Sequence, residues 1–468
     1  MSDQILKKGY KYYNDVLLTE LHSAGRSIGK IGNRNVYLDF GIPGETVSIE
    51  VKRRQKAGKF TIGSIQNIKL KSPYRIEPFC KHYGVCGGCD WQHLSYEAQL
   101  KWKKSILLKA LLKYEIKTPD IRGVVPSPKT IFYRNKLEYS FSSDYWQGEK
   151  MVLTNSQVLG FHLVNHPDKV IDIAECFLQS QLNKVICEEI RKYALIHNIA
   201  YYNIQDKSGF LKNITIRTTS LNQIMIIVGF ALEDRYLINK FLDFLQARFP
   251  ELTSINYFVD IRDEKHPSNF EVKHFSGDTI IHEYIDDLKF QISPLSFFQP
   301  NFEQAKYIYT KVKEFAQLNH KETVIDLYTG IGTIACYLSR EAKSIIGIEG
   351  SDSAIKDANV NARINKIQNI EFIKGDILET FNRDFIKQHG RPDVIVLDPP
   401  RSGTLIEIKK TILFSEPSRI IYVSCNPVSL AWDLKQLTEK YEVVAIQPFD
   451  MFPHTHHFET VVLLSIKK

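Results

Sequence analysis

Apolar and polar positions divide the chain into three stretches. Between residues 9 and 70, short alternating runs such as Val36-Tyr37-Leu38-Asp39-Phe40 and Thr46-Val47-Ser48-Ile49-Glu50-Val51 are broken by Gly25, Gly29, Gly32, Gly41, Pro43-Gly44 and Gly58. Period-two alternation in runs this short predicts strands of a small β-barrel. Lys71-Ser72-Pro73 marks its end. Ser95 to Glu115 predicts a helix, with Leu100, Ile106, Leu107, Ala110 and Leu111 on one side and Lys101, Lys103, Lys104 and Lys109 supplying its charge. The rest of 71–290 mixes strand and helix patterns, as in an α+β domain. From about Phe290 the pattern changes. The runs Thr323–Leu327, Ser344–Ile348, Ile370–Ile373, Asp393–Leu397, Arg419–Val423, Val443–Ile446 and Thr460–Leu464 alternate with helical stretches. That alternation predicts a doubly wound α/β domain with a parallel sheet over 291–468.

Length and charge narrow the class. A chain of 468 residues, 43% hydrophobic, has material for two to four domains. It has no apolar run of about 18 residues, so no membrane span is expected. Met1 to Leu17 lacks the apolar core of a secretory signal, which places the chain in the cytoplasm by default. The net charge is +8, and residues 1–70 carry 12 Lys/Arg against six Asp/Glu. A basic barrel beside a nearly neutral remainder points to a polyanion, and small barrels of this kind grip oligonucleotides. A solvated basic face is the plainer alternative. Arg134-Asn135-Lys136 and Lys212-Asn213 are further candidate RNA contacts, with ordinary surface polarity as the alternative.

Candidate chemistry gathers at the strand ends. The first α/β strand ends Asp326-Leu327-Tyr328, followed by Thr329-Gly330-Ile331-Gly332-Thr333. Glycines tighten such a turn and let a ligand approach the backbone. Glu349, at the end of the second strand, is placed to take ribose hydroxyls of an adenosine. The third glycine of the dinucleotide fingerprint and the lysine of a P-loop are both missing, which argues against a pyrophosphate. S-adenosylmethionine carries no phosphate and fits the shorter turn. Asp376 follows the third strand and could reach adenine; Asp398, in Asp398-Pro399-Pro400-Arg401, lies nearer the reacting centre. Taken singly, each acid also reads as a helix N-cap or loop residue. Cys425, in Ser424-Cys425-Asn426-Pro427 after the fifth strand, is a candidate nucleophile, with a small core residue as the alternative. Glu459, at the entrance of the last strand, suits a general base; an exposed loop acid is its alternative.

Seven cysteines in a cytosolic setting do not suggest disulfides. Cys80-x5-Cys86-x2-Cys89, with Cys176 as a fourth candidate, suggests a metal centre holding either zinc or an iron–sulfur cluster. It is not the Cys-x3-Cys-x2-Cys spacing of radical-type clusters. The histidines of Pro453-His454-Thr455-His456-His457-Phe458-Glu459 lack the spacing of two metal ligands on one helix face.

These motifs occur in order together with Phe298-Gln299-Pro300-Asn301, and the chain from about residue 10 to 465 resembles the RNA (uracil-5-)-methyltransferases. Within them it is most similar to the iron–sulfur branch that makes 5-methyluridine in 23S rRNA. The barrel resembles a TRAM domain. The related bacterial tRNA enzyme lacks that domain and the cysteines, which favours rRNA over the alternative, tRNA. The resemblance implies a Rossmann-like methyltransferase domain using S-adenosylmethionine and a [4Fe-4S] cluster on Cys80, Cys86, Cys89 and Cys176, ordering the central domain. It further implies Cys425 as nucleophile, Glu459 as base, and cofactor contacts from Gln299, Tyr328, Gly330, Thr333, Glu349, Asp376 and Asp398. A monomer is favoured. Thr329 replaces a frequent Cys, Phe458 a frequent Val and Trp432 a frequent Arg. A nucleophilic Cys425 is expected to have its pKa lowered by nearby donors or positive charge.

Overall fold

The computed structural model describes residues 9–52, 61–119, 121–147, 150–153, 156–260 and 271–467. Lys7, Lys8, Arg53, Arg54, Lys56 and Lys59 of the expected basic segment, and the turn residue Gly58, lie outside the described residues. Strands β1 (Tyr10–Leu21), β2 (Ser27–Ile31), β3 (Arg34–Leu38), β4 (Thr46–Lys52) and β5 (Thr61–Leu70) close into a barrel in the order β1-β2-β3-β5-β4. Its interior is Val16, Leu18, Val36, Leu38, Val47, Ile49 and Val51. Those positions alternate along each strand because the pleat sends successive side chains to opposite faces. Lys11, Lys30, Arg34 and Lys52 face solvent.

The helix α1 (Tyr96–Lys113) meets the barrel at β1, where Leu21 joins its core and Lys109 pairs with Glu20. It also packs against the C-terminal domain, sharing a core in which Ile106, Leu107 and Leu111 meet Leu430, Leu434 and Leu437. Lys103 departs from the solvated role expected of it. It is fully buried, its Nζ 2.5 Å from Asp450 and donating to the Phe452 carbonyl at 3.1 Å.

The next elements are β6 (Lys136–Ser142), β7 (Tyr145–Gln147), β8 (Lys150–Leu153), β9 (Val158–Leu163), β10 (His166–Asp172), α2 (Leu182–Ile196), β11 (Leu211–Thr218), β12 (Ile224–Phe230), α3 (Arg235–Arg248), β13 (Ser254–Val259) and β14 (Lys273–Gly277). Seven of these strands form a mixed sheet, β10-β9-β6-β11-β12-β13-β14. Ile186 and Ile190 of α2, and Phe241 and Leu245 of α3, share a core with Ile214, Ile216, Ile226 and Val228 of the sheet. Four candidate RNA contacts in this region are engaged internally. Asn135 is buried and donates to the Gln299 carbonyl at 2.8 Å. The Arg134 guanidinium lies over the Phe452 ring at 5.3 Å, Lys212 pairs with Asp260 at 2.6 Å, and Asn213 donates to Glu138 at 2.8 Å.

The last elements are the hairpin β15 (Ile281–Ile285) and β16 (Leu288–Ile292), then α4 (Phe302–Ala316), β17 (Thr323–Leu327), α5 (Thr333–Leu338), β18 (Ser344–Glu349), α6 (Asp352–Ile364), β19 (Ile370–Lys374), α7 (Ile377–Thr380), α8 (Arg383–His389), β20 (Val394–Leu397), α9 (Ile406–Ser415), β21 (Arg419–Ser424), α10 (Pro427–Leu437), β22 (Tyr441–Phe449) and β23 (Glu459–Ile466). The expected boundary at 290/291 falls inside β16, whose Leu288, Phe290 and Ile292 pack with Ile308, Tyr309 and Val324. The sheet order is β19-β18-β17-β20-β21-β23-β22. Five strands are parallel, as the alternating pattern predicts. β23 departs from that expectation: it lies antiparallel between β21 and β22. No helix among the described residues is long and apolar enough to cross a membrane.

Candidate active site

The fully buried β17 delivers the chain into a left-handed turn, with Tyr328 at φ 65° and Gly332 at φ 79°. Gly332 is fixed by crowding as well as by φ, since a Cβ there would lie 2.7 Å from the Phe372 ring. Gln299, Tyr328, Gly330, Thr333 and Asp398 line one cavity of about 50 Å³ at this turn, together with Asp326 and Tyr309. Glu349 accepts the N–H of Gly330 at 3.2 Å and that of Ser351 at 2.9 Å, so its carboxylate spans the turn from β18. Asp376 serves as the N-cap of α7, accepting from Leu378 and Glu379 at 2.9 and 3.3 Å, and is not among the residues lining the cavity.

Asp326 accepts from the Thr329 hydroxyl at 2.6 Å through Oδ2, while its buried Oδ1 has no hydrogen-bond partner. Burial pushes both Asp326 and Asp398 up to about 7. No lysine or arginine is among the described residues lining the cavity. The donor set therefore suits a ligand carrying positive charge and no phosphate.

A second cavity, of about 280 Å³, opens at the end of β21. Cys425 lines it, between Ser424 and the N-cap Asn426, which accepts from the Val428 N–H at 3.0 Å. Asn426 Nδ2 and the Ser429 hydroxyl both donate to the Arg401 carbonyl, at 2.9 and 3.1 Å, which ties the 398–401 loop to the cysteine turn. Because β23 runs antiparallel to β21 with Thr460 opposite Ser424, Glu459 comes to the same sheet end as Cys425. A parallel strand would have carried its first residue to the far end.

The electrostatics of Cys425 differ from the sequence expectation. Burial, then Glu459, then Asp398 push its thiol up to about 12; Arg401 is the one strong opposing charge. Glu459 is buried and held well above the usual carboxylate range, by burial first and Asp398 second, with Arg401 again opposing. Burial of the thiol, with two acids beside it, outweighs one guanidinium.

The segment leading to Glu459 is gripped from outside the α/β domain. The His454 carbonyl accepts from the N–H groups of Asp90 and Trp91 at 3.0 and 2.9 Å, and its own N–H donates to Gln99 at 2.8 Å. His456 Nδ1 lies 2.5 Å from Asp90, and Tyr133 donates to the Pro453 carbonyl at 3.1 Å. The His456 ring is thus engaged with Asp90, and His454 is held through its main chain. Asp90 and Trp91 directly follow Cys89. Cys80, Cys86, Cys89 and Cys176 line one cavity of about 120 Å³. Among the described residues, no three His, Cys, Asp or Glu side chains are arranged to hold a single metal ion.

Sequence reasoning quoted Asp326 and Arg401 within their motifs without giving them a role, and missed Tyr309 as well as Ser23 and Ala24, which reach the Cys425 cavity from the barrel. Arg401 had a signal, the only basic residue of its four-residue motif. Ser23 and Ala24 had none, because their contact is made across domains.

The model of the family described as tRNA (uracil-5-)-methyltransferase matches residues 283–467. A relative from Bacteroides thetaiotaomicron, described as an uncharacterized RNA methyltransferase, is 41% identical over 95% of this chain and 99% of its own. One from Porphyromonas gingivalis, described likewise, is 38% identical over 96% and 98%. Among solved structures, the Pyrococcus abyssi tRNA (uracil-54, C5)-methyltransferase in complex with S-adenosyl-L-homocysteine is 27% identical, covers 96% of this chain and 99% of its own, and has a TM-score of 0.74.

Proposed function

The chain belongs to the RNA (uracil-5-)-methyltransferase family, and from that premise we propose that it methylates carbon 5 of a uridine in RNA, with S-adenosylmethionine as methyl donor. The observation that carries the reading is the antiparallel β23, which brings Glu459 to Cys425 beside an acid-lined cavity. When bound, the cofactor supplies a methyl group on a sulfonium.

Carbon 5 of uracil is a weak nucleophile. Cys425 Sγ adds to carbon 6, the carbon 5–carbon 6 π pair moves towards oxygen 4, and the resulting enolate makes carbon 5 nucleophilic. Carbon 5 then takes the methyl group and still carries its proton. Glu459 removes that proton, the double bond re-forms, and the carbon–sulfur bond breaks to return the thiolate. Arg401 favours ionised Cys425. Gln299, Tyr328, Gly330, Thr333, Glu349 and Asp398 are assigned to the cofactor, with Asp326 added to them; Asp376 keeps a place at the adenine end. A base stacked in a helix is out of reach, so the target uridine is flipped out or taken from an open loop.

Cys80, Cys86, Cys89 and Cys176 are assigned to a [4Fe-4S] cluster. The four thiols line one cavity, which supports a common group bound among them. Its role is to hold the loop that grips residues 453–456, and it takes part in no step. Iron and sulfide content of anaerobically prepared protein tests this.

For the RNA, the reading is 23S rRNA, on the barrel and the cysteines. A second reading, tRNA, is favoured by the near full-length likeness to a structure whose name specifies uracil 54 of tRNA. Mapping 5-methyluridine in rRNA and tRNA of a deletion strain separates them. The chemistry is tested by mixing the protein with 5-fluorouridine RNA and cofactor. Wild-type protein forms a stable covalent adduct and Cys425→Ala forms none; an adduct with the variant would overturn the assignment.

A further inference from the structure

The cavity at Cys425 has a wall that the methyltransferase chemistry does not require. Ser23 and Ala24, in the turn between β1 and β2 of the barrel, line it together with Cys425, Arg401 and His457. This turn is braced. The His22 N–H donates to the Arg26 carbonyl at 2.8 Å, the Gly25 N–H to the His22 carbonyl at 2.9 Å, and the Ala24 N–H to His22 Nδ1 at 3.1 Å. It is also pinned from outside, because Trp91 Nε1 donates to the Gly25 carbonyl at 2.9 Å and Arg26 bonds Asp39 and Asn165, both at 2.8 Å. Gly25 sits at φ +81°, and a Cβ there would lie 2.8 Å from His456 Nδ1. Only glycine allows so close an approach at that φ. The barrel is therefore fitted against the segment that leads to Glu459, and its turn faces the cavity into which the attacking sulfur opens.

A barrel that served only to attract phosphates would need none of this. We propose that the 22–26 turn is a specificity-determining wall of the target-nucleotide pocket, with Ser23 and Ala24 touching the uridine nucleotide that Cys425 attacks. His456 and His457, with ring centroids 3.9 Å apart, add aromatic surface on which a flipped base stacks. The barrel thus takes part in choosing the nucleotide as well as holding the RNA around it.

The inference rests on the uracil-methylation reading, and the test separates the two. The probe is a short single-stranded oligoribonucleotide carrying 5-fluorouridine, with S-adenosylmethionine, and the readout is the rate of covalent adduct formation. An oligomer confined to the pocket is blind to binding along the rest of the barrel. Ala24 is exposed, so Ala24→Trp adds bulk without invading a core. Ala24→Trp and Ser23→Trp are expected to slow adduct formation at least about tenfold, since small misplacements of a reacting base are costly. S-adenosylhomocysteine affinity, measured by calorimetry, stays unchanged in both. Asn35→Trp, on the barrel but outside the cavity lining, reacts at the wild-type rate. Adduct formation by Ala24→Trp at the wild-type rate, or a slow reaction accompanied by lost S-adenosylhomocysteine binding, overturns the inference and leaves the uracil reading standing. Absence of any adduct with wild-type protein overturns both.

Discussion

Single residues at this site compete for protons. Glu459, Asp398 and Asp326 lie in or beside the two cavities, and burial raises all three. Replacing Glu459 by Gln keeps the shape and removes the base. Turnover on ordinary uridine RNA should fall roughly 10²–10⁴-fold, the usual share of general base catalysis. The carbon 6 adduct should accumulate, visible as an RNA–protein band in denaturing gels. The raised aspartates also set a direction for stability. An aspartate near pKa 3.9 when unfolded and about 7 when folded binds its proton more tightly in the folded state. Its contribution is complete below about pH 4 and is lost as pH rises through about 7. The melting temperature of cofactor-free protein should therefore fall from about pH 4 to about pH 7 and level off above, and Asp326→Asn should flatten that fall. The position of Cys425 and Glu459 at strand ends was readable from sequence because each stands in a short motif beside an apolar run. The raised thiol was not readable, because it depends first on burial and then on Glu459 and Asp398, which arrive from β23 and the loop after β20.

Elements explain what pattern alone missed. Lys103 looked like one more surface charge of α1, yet it falls between Gln99, Ile106 and Ala110 on the helix's buried stripe. A lysine inside an apolar stripe is the signal, and its partner Asp450 lies 347 residues away in the chain. Removing one member of a buried pair leaves the other charge without compensation. Lys103→Ala should cost about 3–5 kcal/mol in urea unfolding. It should also lower kcat more than it weakens cofactor binding, because Asp450 and Phe452 open the segment that ends at Glu459. Equal activity in the variant would show that α1 supports the fold alone. The central parallel strands β20 and β21 were legible because buried parallel strands read as unbroken apolar runs. The reversal of β23 was not, since an antiparallel strand with both faces covered has the same apolar run, and its direction follows from the path of 450–458.

At the scale of the whole molecule, the barrel and the α/β domain meet at the Cys425 cavity, and the barrel brings the charge. RNA affinity should fall linearly on logarithmic axes as salt rises, and Lys30→Glu should reduce that slope by about one if Lys30 meets a phosphate. Filter binding at a series of salt concentrations measures it. The strand order β21-β23-β22 also governs how the protein comes together. β22 precedes β23 in the chain but joins the sheet only through β23, which pairs with β21. Until β23 has paired, β21 is an open edge, a template for pairing with other chains, with Cys425 uncovered at its end. The same strand closes that edge and delivers Glu459. Assembly of the sheet and the meeting of Cys425 with Glu459 are therefore one event, and under the proposed mechanism a partly folded chain would offer a thiol but no base to release what it captures.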